Sequence, residues 1–390
     1  MENISTKRVL NPKASRRQVL LALGYYQARV QRGIAQYARK AGWILNTQMT
    51  QYGIIPDYWV GDGIITFLVS ERPDITDYVR KARVPVVDIS ADVQVDIPLA
   101  RVVLDNYQIG KLAAEHLIER NFKNLAFYQF IDSYDIRGRL AGFKDTVQAH
   151  KLNFYHLNWS KLALSGQQNW FQWLRVHLLK LPRPLGLCAQ SDNRAMNVFA
   201  VCENLGIAVP EDLAIIGVDN DEMVGDLAPV PLSSVDSDRF GLGYRAAEVL
   251  DQIIISGKLP SDIIIHSPGP LVVRKSTDIY AVENPDVVRA LGFIWEYYNK
   301  PITVQNVIAS TTLSRAELYR AFEKHLGHSI GKEITRKRLE RVRKLLVETT
   351  HKLNHIASKC GFSNDRHMIR VFQREMNMSP SQYRNAKLTT

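Results

Sequence analysis

Two matching stretches near the carboxyl end place arginines and carboxylates at corresponding positions. Residues 304–314 lead into Arg315, Glu317, Tyr319 and Arg320; 353–363, starting 49 positions later, lead into Asp365, Arg366, Ile369 and Arg370. An arginine fork can donate two hydrogen bonds to a guanine edge or bind a phosphate, and a carboxylate can accept from cytosine. Shown from helices narrow enough for a major groove, such side chains read duplex DNA. The candidate contacts are Arg315, Glu317, Arg320, Asp365, Arg366 and Arg370.

Each stretch needs a scaffold, and the spacing supplies one. Each reads as a short helix, a tight turn, and a second helix capped by a serine, Ser314 or Ser363. The apolar residue before each serine, Leu313 or Phe362, packs the second helix on the first and turns its other face outward. Between the units, 330–349 reads as a long helix with core positions Ile334, Leu339, Val342, Leu345 and Leu346. Arg336, Lys337, Arg338, Arg341, Arg343 and Lys344 surround that core, so the helix can hold two reading heads at a fixed separation. From Glu283 onward there are 19 Lys and Arg against 10 Asp and Glu, so the tail carries +9 of the chain's +11. Neutralising phosphates requires that concentration of charge.

The remainder has a different rhythm. At 390 residues the chain exceeds what one core serves, so two or three domains are expected. Short β-type runs at 18–23, 63–68, 85–89, 101–104, 124–130, 185–190 and 213–218 alternate with helical segments, which predicts a mostly parallel sheet, or two, covered by helices. An extended segment at 271–277 and a connector at 278–285 precede the helical tail. Cys188, Cys202 and Cys360 form neither a disulfide framework nor a metal-ligand spacing, so a reducing compartment and no bound metal are expected. Lys7, Arg8, Lys13, Arg16 and Arg17 ahead of 19–23 have the charge order of an export signal. The apolar run stops at Gly24-Tyr25-Tyr26 without a cleavage site, so a buried strand and a cytoplasmic protein without membrane contact are expected. Without a nucleophile elbow, phosphate loop or histidine cluster, the sequence predicts neither an enzyme nor a cofactor.

Over roughly 286–387 the tail resembles the AraC family of transcription regulators. Gly361-Phe362-Ser363, Arg370-Val371-Phe372 and Ser379-Pro380-Ser381-Gln382-Tyr383-Arg384 carry that resemblance. Thr312 departs from it by standing where the turn glycine falls, and a non-glycine residue at positive φ costs about 1 kcal/mol, so an adjusted or strained turn is expected. Asn377 replaces another glycine, and asparagine tolerates that conformation best among the alternatives. Upstream, Val102-Val103-Leu104-Asp105-Asn106, Arg139-Leu140-Ala141-Gly142-Phe143, Ser191-Asp192 and Ile215-Ile216-Gly217-Val218-Asp219-Asn220 look like landmarks of the LacI-type effector domain.

Together the resemblances imply a two-lobed, periplasmic-binding-protein-like α/β domain over 1–278, followed by an all-α double helix-turn-helix domain over 286–387. The implied ligand is a sugar, for which Asp219 would be the carboxylate acceptor, Arg139 the donor, Asp192 a second acceptor and Tyr25, with Tyr26, an apolar platform. Such a layout implies a homodimer that binds double-stranded DNA and activates pentose genes, with xylose the favoured effector and RNA polymerase a further partner. Two alternatives stay open. One is a regulator, even a repressor, that answers to another sugar; the other is a sugar-binding transport protein, which would need an export signal and have no use for the basic tail.

Overall fold

The computed structural model describes residues 16–388 except 57, 164–168, 280 and 283, so Lys7, Arg8 and Lys13, and Tyr280 and Glu283 of the connector, lie outside the described residues. The chain divides into two units, one running to Asp278 and one from Ile279 onward, with the turn Arg120–Phe122 grouped with the second.

The first unit holds two six-stranded sheets. β1 (Gln18–Ala22), β2 (Ile44–Asn46), β3 (Gly63–Thr66), β4 (Val86–Asp88), β5 (Ala100–Leu104) and β11 (Ile264–His266) form one, in the order β11-β5-β4-β3-β1-β2. The other comprises β6 (Asn124–Gln129), β7 (Asn153–Asn158), β8 (Leu185–Ala189), β9 (Leu213–Val218), β10 (Ser233–Val235) and β12 (Leu271–Val272), in the order β12-β10-β9-β8-β6-β7. All pairings are parallel except β10 with β12. The reason lies in the composition: β8 and β9 are buried end to end, as apolar runs must be when helices cover both faces of a sheet. Each lobe has its own core, one around Leu20, Ile64, Ile75 and Val86, the other around Tyr128, Leu187, Phe199 and Ile215.

Three segments cross between the lobes: after β5, after β10, and between β11 and β12. His266 ties them together, because its carbonyl accepts from the Asp105 amide at 2.8 Å and its Nε2 lies 2.9 Å from Asp238 Oδ2. The first crossing enters the helix Asn106–Glu119, which packs on the helix Tyr134–Ala149. Gly110 and Gly142 permit that contact; a Cβ on either would stand 1.9 Å from a carbonyl of the facing helix. Arg139 is thereby brought against Asn106.

The second unit is helical. Pro285–Tyr297, Val304–Ala309 and Arg315–Leu326 build one core with Ile330 and Ile334, and Leu353–Lys359, Asp365–Met376 and Pro380–Leu388 build another with Leu339, Val342, Leu345 and Leu346. The helix Ile330–Glu348 contributes to both. Near its start the fully buried Glu333 accepts from Arg336 Nε and Nη2, each at 2.8 Å, and from Trp295 Nε1 at 3.3 Å, with His328 Nε2 at 2.9 Å. Burial would push this carboxyl up, but Arg336, His328 and Trp295 outweigh it and hold it at about 2.

Candidate nucleic-acid interface and ligand cleft

The two helix pairs are not strict copies. Their first helices start 49 positions apart, at Val304 and Leu353, but their second helices start 50 apart, at Arg315 and Asp365. The helix Leu353–Lys359 has seven residues against six in Val304–Ala309, and the five-residue turns that follow differ in conformation: in the second, Gly361 has φ 75° and a Cβ would meet the Tyr298 carbonyl oxygen at 2.2 Å. The first turn needs no left-handed residue at Thr312. The Thr312 amide and hydroxyl instead donate to Asp286 Oδ1 at 2.8 and 2.9 Å, so the expected strain there is absent. The added residue also moves the second cap: Asn364, not Ser363, accepts from the His367 amide at 2.8 Å. Asn377 closes that helix with φ 53°.

Leu318 and Phe322 in one second helix, and Met368, Val371 and Phe372 in the other, are buried against their partners. The opposite faces leave Arg315, Arg320, Arg366 and Arg370 exposed and Asp365 half-buried. Arg320 and Arg370 are each the sixth residue of their helix, so the two heads present one arginine at an equivalent place. Glu317 does otherwise. Its carboxylate accepts from the Ser314 hydroxyl at 2.6 Å and amide at 2.9 Å, which hold it below the usual carboxylate range. It completes a capping box at the start of the helix while remaining exposed, a role the sequence-based expectation of a base contact did not include.

In the first unit, Asp219 lies just past β9, where open α/β sheets bind ligands. Its Oδ1 accepts from the Ser237 hydroxyl at 2.9 Å and from Arg239 Nε at 3.1 Å, its Oδ2 accepts from Arg239 Nη2 at 3.1 Å, and Arg139 Nη2 stands 3.6 Å away. Burial pushes the Asp219 carboxyl up, but Arg239 and Arg139 prevail and hold it below its ordinary value. Arg139, 2 % exposed, also donates to Asn106 Oδ1 at 2.9 Å and the Gln190 carbonyl at 2.7 Å.

Asp192 is placed differently from the expected second acceptor. It is 2 % exposed, and its oxygens accept from the Ser234 hydroxyl and the Asp221 amide, both at 2.7 Å. Burial, reinforced by Asp219, pushes it up to about 7. The Asn220 amide donates to Ser234 Oγ at 2.9 Å and the Asp219 amide to the Val235 carbonyl at 2.9 Å. Three successive amides are thus fixed across a loop in which Asp219 and Asn220 both have positive φ, 107° and 50°. Tyr25 and Tyr26 follow β1, 45 % and 73 % exposed.

Sequence reasoning missed the groups that reach this cluster from the other lobe. Arg239 begins the helix Arg239–Ser256, which packs on β3, β4 and β5. Arg29 donates to the Asp219 carbonyl at 2.7 Å and grips Asp236 with bonds of 2.8 and 3.0 Å. Asp92 accepts from the Tyr134 amide at 2.8 Å. Arg29 lies 190 residues from Asp219, and no local spacing announces such a pair. Dense paired donors and acceptors between two lobes suit a polar, uncharged guest whose hydroxyls exchange for them one by one.

A two-lobed cleft joined in one chain to two helix-turn-helix heads defines a DNA-binding transcription regulator with a ligand-sensing domain. The profile of the periplasmic binding protein-like domain matches residues 114–277, and that of a helix-turn-helix domain matches 308–386. The chain is 30% identical to the xylose operon regulatory protein of Escherichia coli strain K12, over 84% of each chain, and 27% identical to that of Haemophilus influenzae over 83% of this chain and 84% of the relative. Among solved structures, a xylose-binding transcription activator superposes with a TM-score of 0.60 at 27% identity, covering 96% of this chain and 99% of that one. This chain belongs to the family of xylose operon regulatory proteins.

Proposed function

We propose that this protein activates pentose catabolic genes in response to D-xylose. One observation carries the reading: the similarity to regulators named for the xylose operon runs through both the cleft and the helix-turn-helix pair. Residues 1–278 form the effector domain and 286–387 the DNA-binding domain. The sugar lies between the lobes, with Asp219 accepting from its hydroxyls and Arg139 donating; Asp192 holds the loop that presents Asp219, and Tyr25 borders the entrance. Arg315, Arg320, Arg366 and Arg370 approach bases and phosphates, and Asp365 stands at the start of the second reading helix. The protein works in the cytoplasm as a homodimer that contacts RNA polymerase, and it releases its sugar unchanged. No helix among the described residues is long and apolar enough to cross a membrane.

A thermal-shift screen of pentoses and hexoses tests the effector. Xylose should raise the melting temperature most, because a ligand that binds only the folded state stabilises it by mass action. A larger shift from another sugar would replace xylose in the proposal. Loss of duplex retardation in a gel for Arg320→Ala and Arg370→Ala tests the reading heads.

A further inference from the structure

We infer that a groove between the central helix and the end of the second reading helix holds the DNA backbone where it passes from one major groove to the next. The groove, about 430 Å³, is lined on one side by Lys332, Thr335, Arg336, Leu339 and Arg343, and on the other by Arg374, Glu375 and Met376. It rests on the DNA-binding reading above and adds to it a site that reads no base.

Charge is the first argument. Lys332, Arg336, Arg343 and Arg374 face one acid, Glu375, and the match is to a polyanion. Two of the cations are braced: Arg336 by Glu333 and Glu340, Arg374 by Glu375 at 2.8 Å. The Arg374 pair is exposed, and an exposed pair is weak enough to exchange for phosphate. Among the described residues, Lys332 and Arg343 are exposed and have no carboxylate partner. A buried or structural role would have supplied one.

Position is the second. Arg366, Arg370 and Arg374 recur at intervals of four along the second reading helix, so the row that faces bases at its start ends at the groove. Lys332, Arg336 and Arg343 recur at four and seven along the central helix and form one stripe. That helix has 19 residues, so it is about 28 Å long, while successive major grooves on one face of a duplex are about 34 Å apart. A strut of this length, carrying a reading head at each end, lies over the intervening backbone. Leu339 and Met376 give the groove an apolar floor on which arginine stems can rest.

The test uses the full chain and a mixed-sequence duplex of about 40 base pairs, since backbone contacts persist without an operator. Affinity is measured between about 50 and 300 mM KCl for the wild type, for Lys332→Ala/Arg343→Ala, and for Lys332→Glu/Arg343→Glu. The alanine pair should flatten the log K against log salt slope by about 1.8, roughly 0.9 for each phosphate released, and the glutamate pair should weaken binding further, with melting temperatures unchanged in both. A wild-type slope retained in both variants would overturn the groove while leaving the reading heads intact. A wild type that fails to bind duplex at any of these salts would overturn the DNA-binding reading itself. Arg370→Ala serves as a contrast, since its loss should be greater on a duplex from the protein's own regulated promoter than on mixed sequence.

Discussion

Replacing Asp192 with asparagine separates a loop-fixing role from direct contact with the sugar. The carboxylate has two acceptors in use, for the Ser234 hydroxyl and the Asp221 amide. Asparagine keeps one acceptor and adds a donor, so one bond to a charged group is lost, worth about 1.5–3 kcal/mol. The loop it releases contains two left-handed non-glycine residues, each costing about 1–3 kcal/mol to hold. If the lost bond is felt in full where Asp219 meets the ligand, xylose affinity falls roughly ten- to hundredfold.

Proton linkage sharpens the test. Burial raises Asp192 from 3.8 to about 7, so the folded state holds a proton that the unfolded state has already released. Stability from this group is therefore lost as pH rises from about 4 to about 7, by roughly 4 kcal/mol in total, and the asparagine variant lacks that decline. Protonated Asp192 offers one donor and one acceptor, as asparagine does. Wild type and variant should consequently bind xylose with nearly equal affinity at about pH 5.5 and differ most at about pH 8 when followed by titration calorimetry. An equal deficit at both pH values, matching that of Asp219→Asn, would mean that Asp192 touches the sugar, and the positioning argument would be refuted.

Other perturbations have simpler outcomes. Asp219→Asn should abolish the xylose-induced melting shift, and it should also lower the apo melting temperature because Arg139 and Arg239 lose their shared carboxylate. Arg320→Ala and Arg370→Ala should each weaken operator binding by about 1–3 kcal/mol in gel retardation, whereas equal losses on every sequence would assign them to phosphate. Glu333→Gln should destabilise the helical unit by about 3 kcal/mol in chemical denaturation at neutral pH. Because Glu333 is held at about 2, below its ordinary 4.5, the wild type should lose that increment as pH falls from about 4.5 toward 2, and a flat acid profile would contradict the pairing. Gly361→Ala should cost more than 1 kcal/mol and disturb the second head first, since a Cβ meets the Tyr298 carbonyl.

The helical tail was readable because its determinants are local. Cap, turn and apolar period lie within a dozen residues of one another, and the central helix shows both its cores in the spacing of Ile334, Leu339, Val342, Leu345 and Leu346. Locality also set the error. Ser363-Asn364 offers two adjacent capping residues, and choosing the first hides the one-residue shift of the second helix relative to its counterpart. In the α/β unit the long apolar runs announced the central strands, but β2, β10 and β11 are three residues each, too short for a period, and β7 is half-exposed with Asn153, His156 and Asn158 among its residues. Asp219 and Arg139 belonged to recognisable motifs. Arg239, Arg29 and Ser234 did not, because what makes them part of the cleft is the crossing of the chain between lobes.

Those crossings bear on how the cleft can switch. Arg239 on Asp219, Arg29 on the Asp219 carbonyl and on Asp236, and Asp92 on the Tyr134 amide join the lobes. A sugar whose hydroxyls replace some of these bonds gains only the difference between its own contacts and those displaced. Only that difference biases one state of the cleft over another, since equal affinity for two states shifts neither. Each 1.4 kcal/mol of surplus moves the ratio about tenfold, so one well-placed hydroxyl is enough to matter. A sugar lacking that hydroxyl would leave Asp219 with Arg239, and the protein would remain in its unliganded balance.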